Sequence, residues 1–298
     1  MLDRYIIGEV SRISPEAPVP VLAVREERSV AGGAANVALN LRSLGANVEA
    51  IGWFGQDGRG DELVEILGNQ EIQVDQSFRF SSVPTISKSR VTASNQQICR
   101  VDRESSIDQY HPDLNIVGDL ISEKAVQADV VIVSDYGKGF VTNQLLALVR
   151  ENASFLAVDP KPSRLLDYSM PDLLTPNRLE ALELAGLSRE TRDPFPQEEV
   201  VTQIFNKFSP RLLAVTLGGE GMLLAKQGKV ECTIPTAARE VFDVSGAGDT
   251  VIASLSMALV AGQSFEQAAG FANLAAGVVV GKVGTANVSP EEIIALSS

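Results

Sequence analysis

Two glycines and an alanine stand directly ahead of an acid in DVSGAGD (243–249), and the apolar run TVIAS follows at once. A helix starting here leaves its first backbone N–H groups without intrahelical acceptors and carries partial positive charge at that end. Ser245, Gly246, Ala247 and Gly248 bring no bulk, so an anionic oxygen can approach those donors. An aspartate beside such an anion hole can take a proton from a hydroxyl nucleophile while the hole stabilises charge on a transferring phosphoryl group. Asp249 would be that base. The same residue types also suit an ordinary helix start in which Asp249 only complements the dipole of the first turn. Residue chemistry by itself leaves both readings open.

Polar groups recur where other short apolar runs end. They are Asp135 in SDYGKG, Asp159 and Lys161 in DPKP, Asn177 and Glu180 in TPNRLE, and Thr216 and Gly218 in TLGGEG. Open α/β sheets bind ligands at the carboxyl ends of their strands, so this series makes a cleft credible, although each alone is ordinary turn chemistry. The chain has no GxxxxGK[ST], and GAGDTV is not GxGxxG. A P-loop enzyme is therefore excluded and a dinucleotide-dependent oxidoreductase disfavoured.

The elements that must position these residues alternate along the chain. The stretches 48–55, 129–137, 155–160, 172–177 and 211–219 read as strands buried on both faces, with helices over 34–44, 58–68, 114–127, 142–150, 178–185 and 197–208. That alternation predicts an α/β fold built on a doubly wound, mostly parallel sheet flanked by helices. Two segments break it. VPVLAVREERSV (19–30) alternates loosely, and TISKSRVTASNQQICRVDRE (85–104) reads as a hairpin turning near Ser94-Asn95. Ile86, Lys88, Arg90 and Thr92 share one face of it, with Ser87, Ser89 and Val91 on the other. Such strands suit a small β lid over a cleft, or an ordinary solvated sheet face. The lid segments are expected at about 10–30 and 84–104. Beyond Asp249 the chain reads as helical nearly to its end, with a small-residue stretch over 265–280 suited to close helix packing. No repeat or linker interrupts residues 1–298, which predicts a single domain with an attached lid.

The 298 residues are 45% hydrophobic and 21% charged, ample for a sizeable core. Net charge is −13, with a pI near 4.6. Without clustered Lys and Arg, nucleic-acid binding is excluded as a main function, and an anionic small molecule would have to be held by a few local cations and backbone donors. No apolar run is long enough for a membrane helix, and MLDRYIIGEVSR lacks the features of a secretory signal. Cys99, Cys232 and the lone His111 share no metal-ligand spacing. A cytoplasmic location with reduced thiols is expected.

DVSGAGDTVIAS resembles the C-terminal signature of the ribokinase-like (pfkB-type) sugar kinases, and AGGAANVALNLRSLG (31–45) resembles their N-terminal one. Within that family the motifs MLDRY, SRISPEAPVPVL, GGAANVA, NQQICRVDRE, SDYGKG, DPK, LLTPNRLE, VFDVSGAGDT and FANLAAGVVVGKVGT are similar to those of the D-glycero-β-D-manno-heptose-7-phosphate kinases, over nearly the whole chain. The resemblance implies ATP-dependent phosphorylation of the anomeric hydroxyl of heptose 7-phosphate, in the supply of ADP-heptose for lipopolysaccharide. It implies Asp249 as the base, with the backbone of Gly246, Ala247 and Gly248 as the anion hole. It places Asn177, Arg178, Leu179 and Glu180 near the ATP phosphates, with Glu180 reaching Mg²⁺ through water. Thr216, Gly218 and Gly221 would flank the nucleotide, and Asn273 would lie by the adenine. Asp3, Gly32, Gly33 and Asn36 would contact sugar hydroxyls, and Asp243 and Ser245 would lie by a monovalent cation such as K⁺. A homodimer is expected on the same ground.

A sugar phosphate needs cations, and Lys88 and Arg90 on the lid, with Lys138 and Lys161 at strand ends, are the candidates. In the family a buried strand ending in Gly-Asp precedes MLDRY, and many members carry a cytidylyltransferase domain after the kinase. The resemblance thus implies an earlier strand, and either a stand-alone kinase or a piece of a longer protein. Another pfkB-type sugar or nucleoside kinase, or a binding module without turnover, are the alternatives, since a fold does not choose its acceptor.

Overall fold

A computed structural model describes residues 1–93, 96–164, 166–188, 194–238, 242–282, 284 and 286–297. The expected hairpin turn at Ser94-Asn95 lies outside the described residues. Chain order begins β1 (Leu2–Ile13), β2 (Pro20–Ala31), α1 (Ala34–Ser43), β3 (Phe54–Gly55), α2 (Gly58–Gly68), β4 (Arg79–Phe80), β5 (Ser87–Ala93) and β6 (Gln96–Arg103). It continues with α3 (Leu114–Gln127), β7 (Val131–Ser134), α4 (Asn143–Asn152), β8 (Leu156–Asp159), β9 (Leu173–Leu174), α5 (Arg178–Leu184) and α6 (Gln197–Phe208). Last come β10 (Leu212–Thr216), β11 (Met222–Lys226), β12 (Lys229–Ile234), α7 (Ala247–Val260), α8 (Phe265–Val280) and α9 (Pro290–Ser297).

The main sheet runs β12-β11-β10-β9-β8-β7. Strands β7 to β10 pair in parallel, and β11 and β12 close the far side antiparallel. Burial on both faces explains the unbroken apolar runs. Leu156, Val158, Leu213 and Val215 enter one core with α2 to α6, while Ala157, Leu212 and Ala214 enter another with α1, α7 and α8. Truncating a fully buried leucine such as Leu213 to alanine would cost about 2–5 kcal/mol. The small-residue stretch forms α8, whose Ala268, Ala269, Ala272 and Ala275 are buried, so α8 and α7 pack closely.

The lid is a four-stranded sheet, β2-β1-β5-β6, with β1 parallel to β5 and antiparallel to β2. It extends beyond the expected segments, because β1 already begins at Leu2. The stretch 48–55 departs further from expectation, since it adds no strand to the parallel sheet. Only Phe54 and Gly55 form a strand, and they pair with β4. One side of this stretch is taken by Gln73, whose carbonyl accepts from Ala50 N–H at 2.8 Å. The other side faces a cavity of about 610 Å³, walled by Ala35, Ile51, Trp53, Val131 and Val133. Strand β7 borders that cavity as the last strand of the main sheet. The cavity separates the two backbones, so no ladder forms between them.

Candidate active site

Gly246 caps α7 with φ 82°, a left-handed conformation that suits a residue without a side chain. The turn beneath it is tied by Ser245 N–H donating to Asp243 Oδ1 at 2.9 Å and Gly284 N–H donating to Oδ2 at 3.0 Å. Ala247 N–H turns back to Val244 O at 3.3 Å, so the anion-facing donors of the first turn are those of Gly248 and Asp249. A Cβ built on Gly248 meets nothing within 4 Å, which leaves open space above the helix start. Of the expected Gly246, Ala247 and Gly248 turn, the N–H of Gly248 is thus left without a backbone acceptor among the described residues, as is that of Asp249.

Asp249 is buried and held from both sides. Asn36 Nδ2 donates to its Oδ2 at 2.9 Å, and the Tyr136 hydroxyl donates to its Oδ1 at 2.6 Å. Asn36 reaches it because α1 packs along α7. Asn36 and Asn40, four residues apart on one helical face, are both buried there. Asn40 Nδ2 donates to Asn36 O at 2.9 Å, and the Thr250 hydroxyl lies 3.2 Å from Asn40 Oδ1. Loss of water pushes the Asp249 carboxyl up to about 6, against the bonds from Tyr136 and then Asn36, with the Asp3 charge adding to the rise.

On the lid side, β1 carries Asp3 opposite Lys88 of β5. Asp3 lies against Gly32, where a Cβ would sit 2.2 Å from its Oδ2, so only glycine permits the approach. Arg90 faces Asp3. Its Nη1 lies 3.0 Å from Asp3 Oδ1, and its guanidinium covers the Tyr5 ring at 5.4 Å. Lys138 pairs with Glu104, and Lys161 Nζ lies 2.9 Å from Glu180 Oε1. Lys88 is half-buried, and desolvation followed by the Lys138 charge lowers its pKa.

The residues expected at the nucleotide follow β9, end or follow β10, or lie in α8. Asn177 caps α5, accepting from Leu179 N–H and Glu180 N–H at 3.0 Å each, while Glu180 Oε2 accepts Asn177 N–H at 3.1 Å. This capping box gives Glu180 a structural duty alongside its Lys161 pair. Arg178 pairs with Glu220, and Leu179 is exposed. Thr216 at the end of β10 bridges to Asn177. The Gly218–Gly221 turn lies against the backbone of Ile234 and Pro235, and Asn273 Nδ2 donates to Pro235 O at 2.7 Å. Asp159 is pushed well above the carboxylate range, first by desolvation and then by the charges of both Glu180 and Asp249. Among the described residues no cluster of three His, Cys, Asp or Glu side chains could hold a metal ion.

Tyr136 is the residue that sequence reasoning passes over, although it follows Asp135 directly in SDYGKG. Asp135 itself faces inward, accepting from Tyr168 OH and Gly137 N–H at 2.7 Å each.

A mostly parallel sheet, a β lid and a buried carboxylate at a helix start beside an open glycine form one arrangement, and residues 2–292 match the pfkB family of carbohydrate kinases, to which this chain belongs. The ribokinase fold is shared at 22% identity with Arabidopsis thaliana ribokinase complexed with ribose and ATP, with a TM-score of 0.74 over 99% of this chain and 95% of that one. Phosphofructokinase-2 from Escherichia coli in complex with potassium aligns at 21% identity, with a TM-score of 0.79 over 100% of this chain and 96% of that one. In sequence, the chain is 44% identical to the bifunctional protein HldE of Geobacter sulfurreducens over 299 residues, or 99% of this chain and 60% of that protein. The chain spans about three-fifths of the length of the curated relatives it matches. No helix among the described residues is long and apolar enough to cross a membrane.

Proposed function

We propose that this chain transfers the γ-phosphoryl group of ATP to the anomeric hydroxyl of D-glycero-β-D-manno-heptose 7-phosphate, giving the 1,7-bisphosphate and ADP. The observation that carries the kinase reading is Asp249, a buried carboxylate pinned by Asn36 and Tyr136 at the head of α7 beside the open Gly248. Asp249 accepts the hydroxyl proton as the sugar oxygen forms its bond to the γ-phosphorus and the bond to the β-phosphate oxygen breaks. The Gly248 and Asp249 N–H groups stabilise the equatorial oxygens. The choice of acceptor is supported by the motifs shared with heptose-7-phosphate kinases and by the 44% identity to HldE.

Asp3, Gly32, Gly33 and Asn36 line the sugar side, with Lys88 as the cation for the 7-phosphate and Arg90 holding Asp3. Asn177, Glu180, Thr216, Gly218, Gly221 and Asn273 form the nucleotide side. The hard oxygens of Glu180 and Asp159 suit a hydrated Mg²⁺. Both Glu180 oxygens already have protein partners, so its contact would run through water. Mg²⁺ there would neutralise phosphate charge. A K⁺ site by Asp243 and Ser245 is part of the same reading.

The test is ATP consumption against heptose 7-phosphate, fructose 6-phosphate, ribose and fructose, with phosphorus NMR of the product. Turnover with the heptose alone and an anomeric phosphate is expected. Preference for another acceptor would overturn the substrate, and ATP binding without any turnover would overturn the kinase reading. The lid's exposed Val10, Ile13, Val24, Ile98 and Val101 support a homodimer. Sedimentation at the 31.8 kDa monomer mass would refute that.

A further inference from the structure

We propose that Tyr136 is a positioning residue for Asp249, its hydroxyl fixing one carboxylate oxygen so that the base meets the acceptor in a single orientation and in its charged form. The inference rests on reading Asp249 as the base.

The two donors on Asp249 come from separate parts of the fold, Tyr136 from the loop just after β7 and Asn36 from α1. With one bond on each oxygen, the carboxylate cannot turn about its last torsion without breaking both. Each oxygen still keeps a lone pair for the incoming proton. The phenol is itself fixed. A Cβ on Gly33 would lie 3.4 Å and 3.5 Å from two atoms of the Tyr136 ring, so the ring packs directly on the backbone ahead of α1.

Tyr136 cannot serve as the base, because burial, followed by the Asp249 charge, pushes its pKa far above the ordinary phenol value. It stays a donor. The other charged groups that reach Asp249 are Asp3 from β1 and Asp159 from β8, both acids, and Arg90 of the lid pairs with Asp3. Of the two hydrogen bonds that oppose the desolvation of Asp249, the one from Tyr136 is the larger. A tyrosine that merely filled space could become phenylalanine without changing the protonation of its neighbour. A positioning tyrosine could not.

The experiment is kcat and KM for Tyr136→Phe in the full chain, with ATP and the best acceptor of the panel, from pH ~5 to pH ~9. The acid limb of kcat/KM for the acceptor, which reports the free enzyme and is expected near pH 6 in the unaltered chain, should move up by about one pH unit, the worth of a hydrogen bond to a charged group. The variant then loses about threefold more in kcat/KM near pH ~6.5 than near pH ~8.5, where the loss that remains in kcat reports the lost orientation, with both KM values within about twofold. A limb that stays in place, or a loss confined to KM, overturns the proposal. A second readout does not need the variant. Carbon-13 at the ring carbon bearing the Tyr136 hydroxyl, in the unaltered chain, should shift as Asp249 titrates, and silence there also overturns it. If Asp249→Asn retains turnover, the base reading falls instead. If that variant is dead while the Tyr136→Phe limb is unmoved, only the present inference falls.

Discussion

Replacing Asp249 by asparagine should make the protein inactive and, above neutral pH, more stable. Burial raises this carboxyl from 3.8 in the open chain to about 6 in the fold. At ~1.4 kcal/mol per pH unit, that rise amounts to about 3 kcal/mol. Because the folded value is the higher one, the native state holds the proton more tightly. Stability is therefore lost as pH rises from about 4 to about 6, and the charged carboxylate burdens the fold at every higher pH. The replacement side chain would carry no charge, but its amide group must face either Asn36 or Tyr136. Turning the amide toward the phenol oxygen satisfies it at a cost of about 1 kcal/mol for the displaced hydroxyl hydrogen. The net gain near pH 8 is about 2 kcal/mol, or ~4 °C in Tm. Near pH ~4.5 the variant should be level with or slightly below the parent. Differential scanning calorimetry of both proteins across that range reads the difference directly, and effects of distant groups cancel in it. A Tm difference that is flat or falls with rising pH would refute the argument that Asp249 is buried and charged at working pH. Turnover should drop by at least ~10²-fold in the same variant.

Two further predictions concern the ligands on either side of Asp249. Lys88→Ala should raise KM for the sugar phosphate about tenfold or more and leave KM for ATP unchanged, since it removes a half-buried cation held without an ion-pair partner among the described residues. Steady-state kinetics decide it, and if Lys88→Ala and Arg90→Ala both leave that KM unchanged, the lid does not read the phosphate. Gly248→Ala should stabilise the first turn of α7 by about 0.5–1 kcal/mol while lowering kcat, because its methyl occupies the open space above the helix start. A variant that gains stability and keeps full turnover would place the transferring phosphoryl elsewhere.

Much of this arrangement is readable from residue order because local and tertiary signals agree. The doubly buried strands β8 and β10 alternate their contacts between two cores, and that demands the continuous apolar runs seen in the sequence. DVSGAGD does two things at once, since the turn that suits Gly246 also opens the helix start at Gly248. The stretch 48–55 misleads because its apolar residues match a buried strand, and no ladder partner lies across the cavity it faces. Tyr136 escapes because its partner lies 113 positions away, and nothing in SDYGKG marks the tyrosine rather than the aspartate as the side chain that reaches the base. Charge patterning singles out Arg90 and Lys161 as cations, but it cannot foretell that each already faces a carboxylate.

The cavity beside β7 also bears on how the protein behaves in a tube. An edge strand with its peptide groups turned toward apolar walls is a template for another chain's strand, and proteins ordinarily blunt such edges. Here the opposing force is long-range, the mutual repulsion of molecules carrying a net charge of −13. Salt shortens that repulsion to ~8 Å at physiological ionic strength but leaves the contact attraction intact. Concentrated stocks should therefore keep best in dilute, slightly alkaline buffer and begin to self-associate as salt is added.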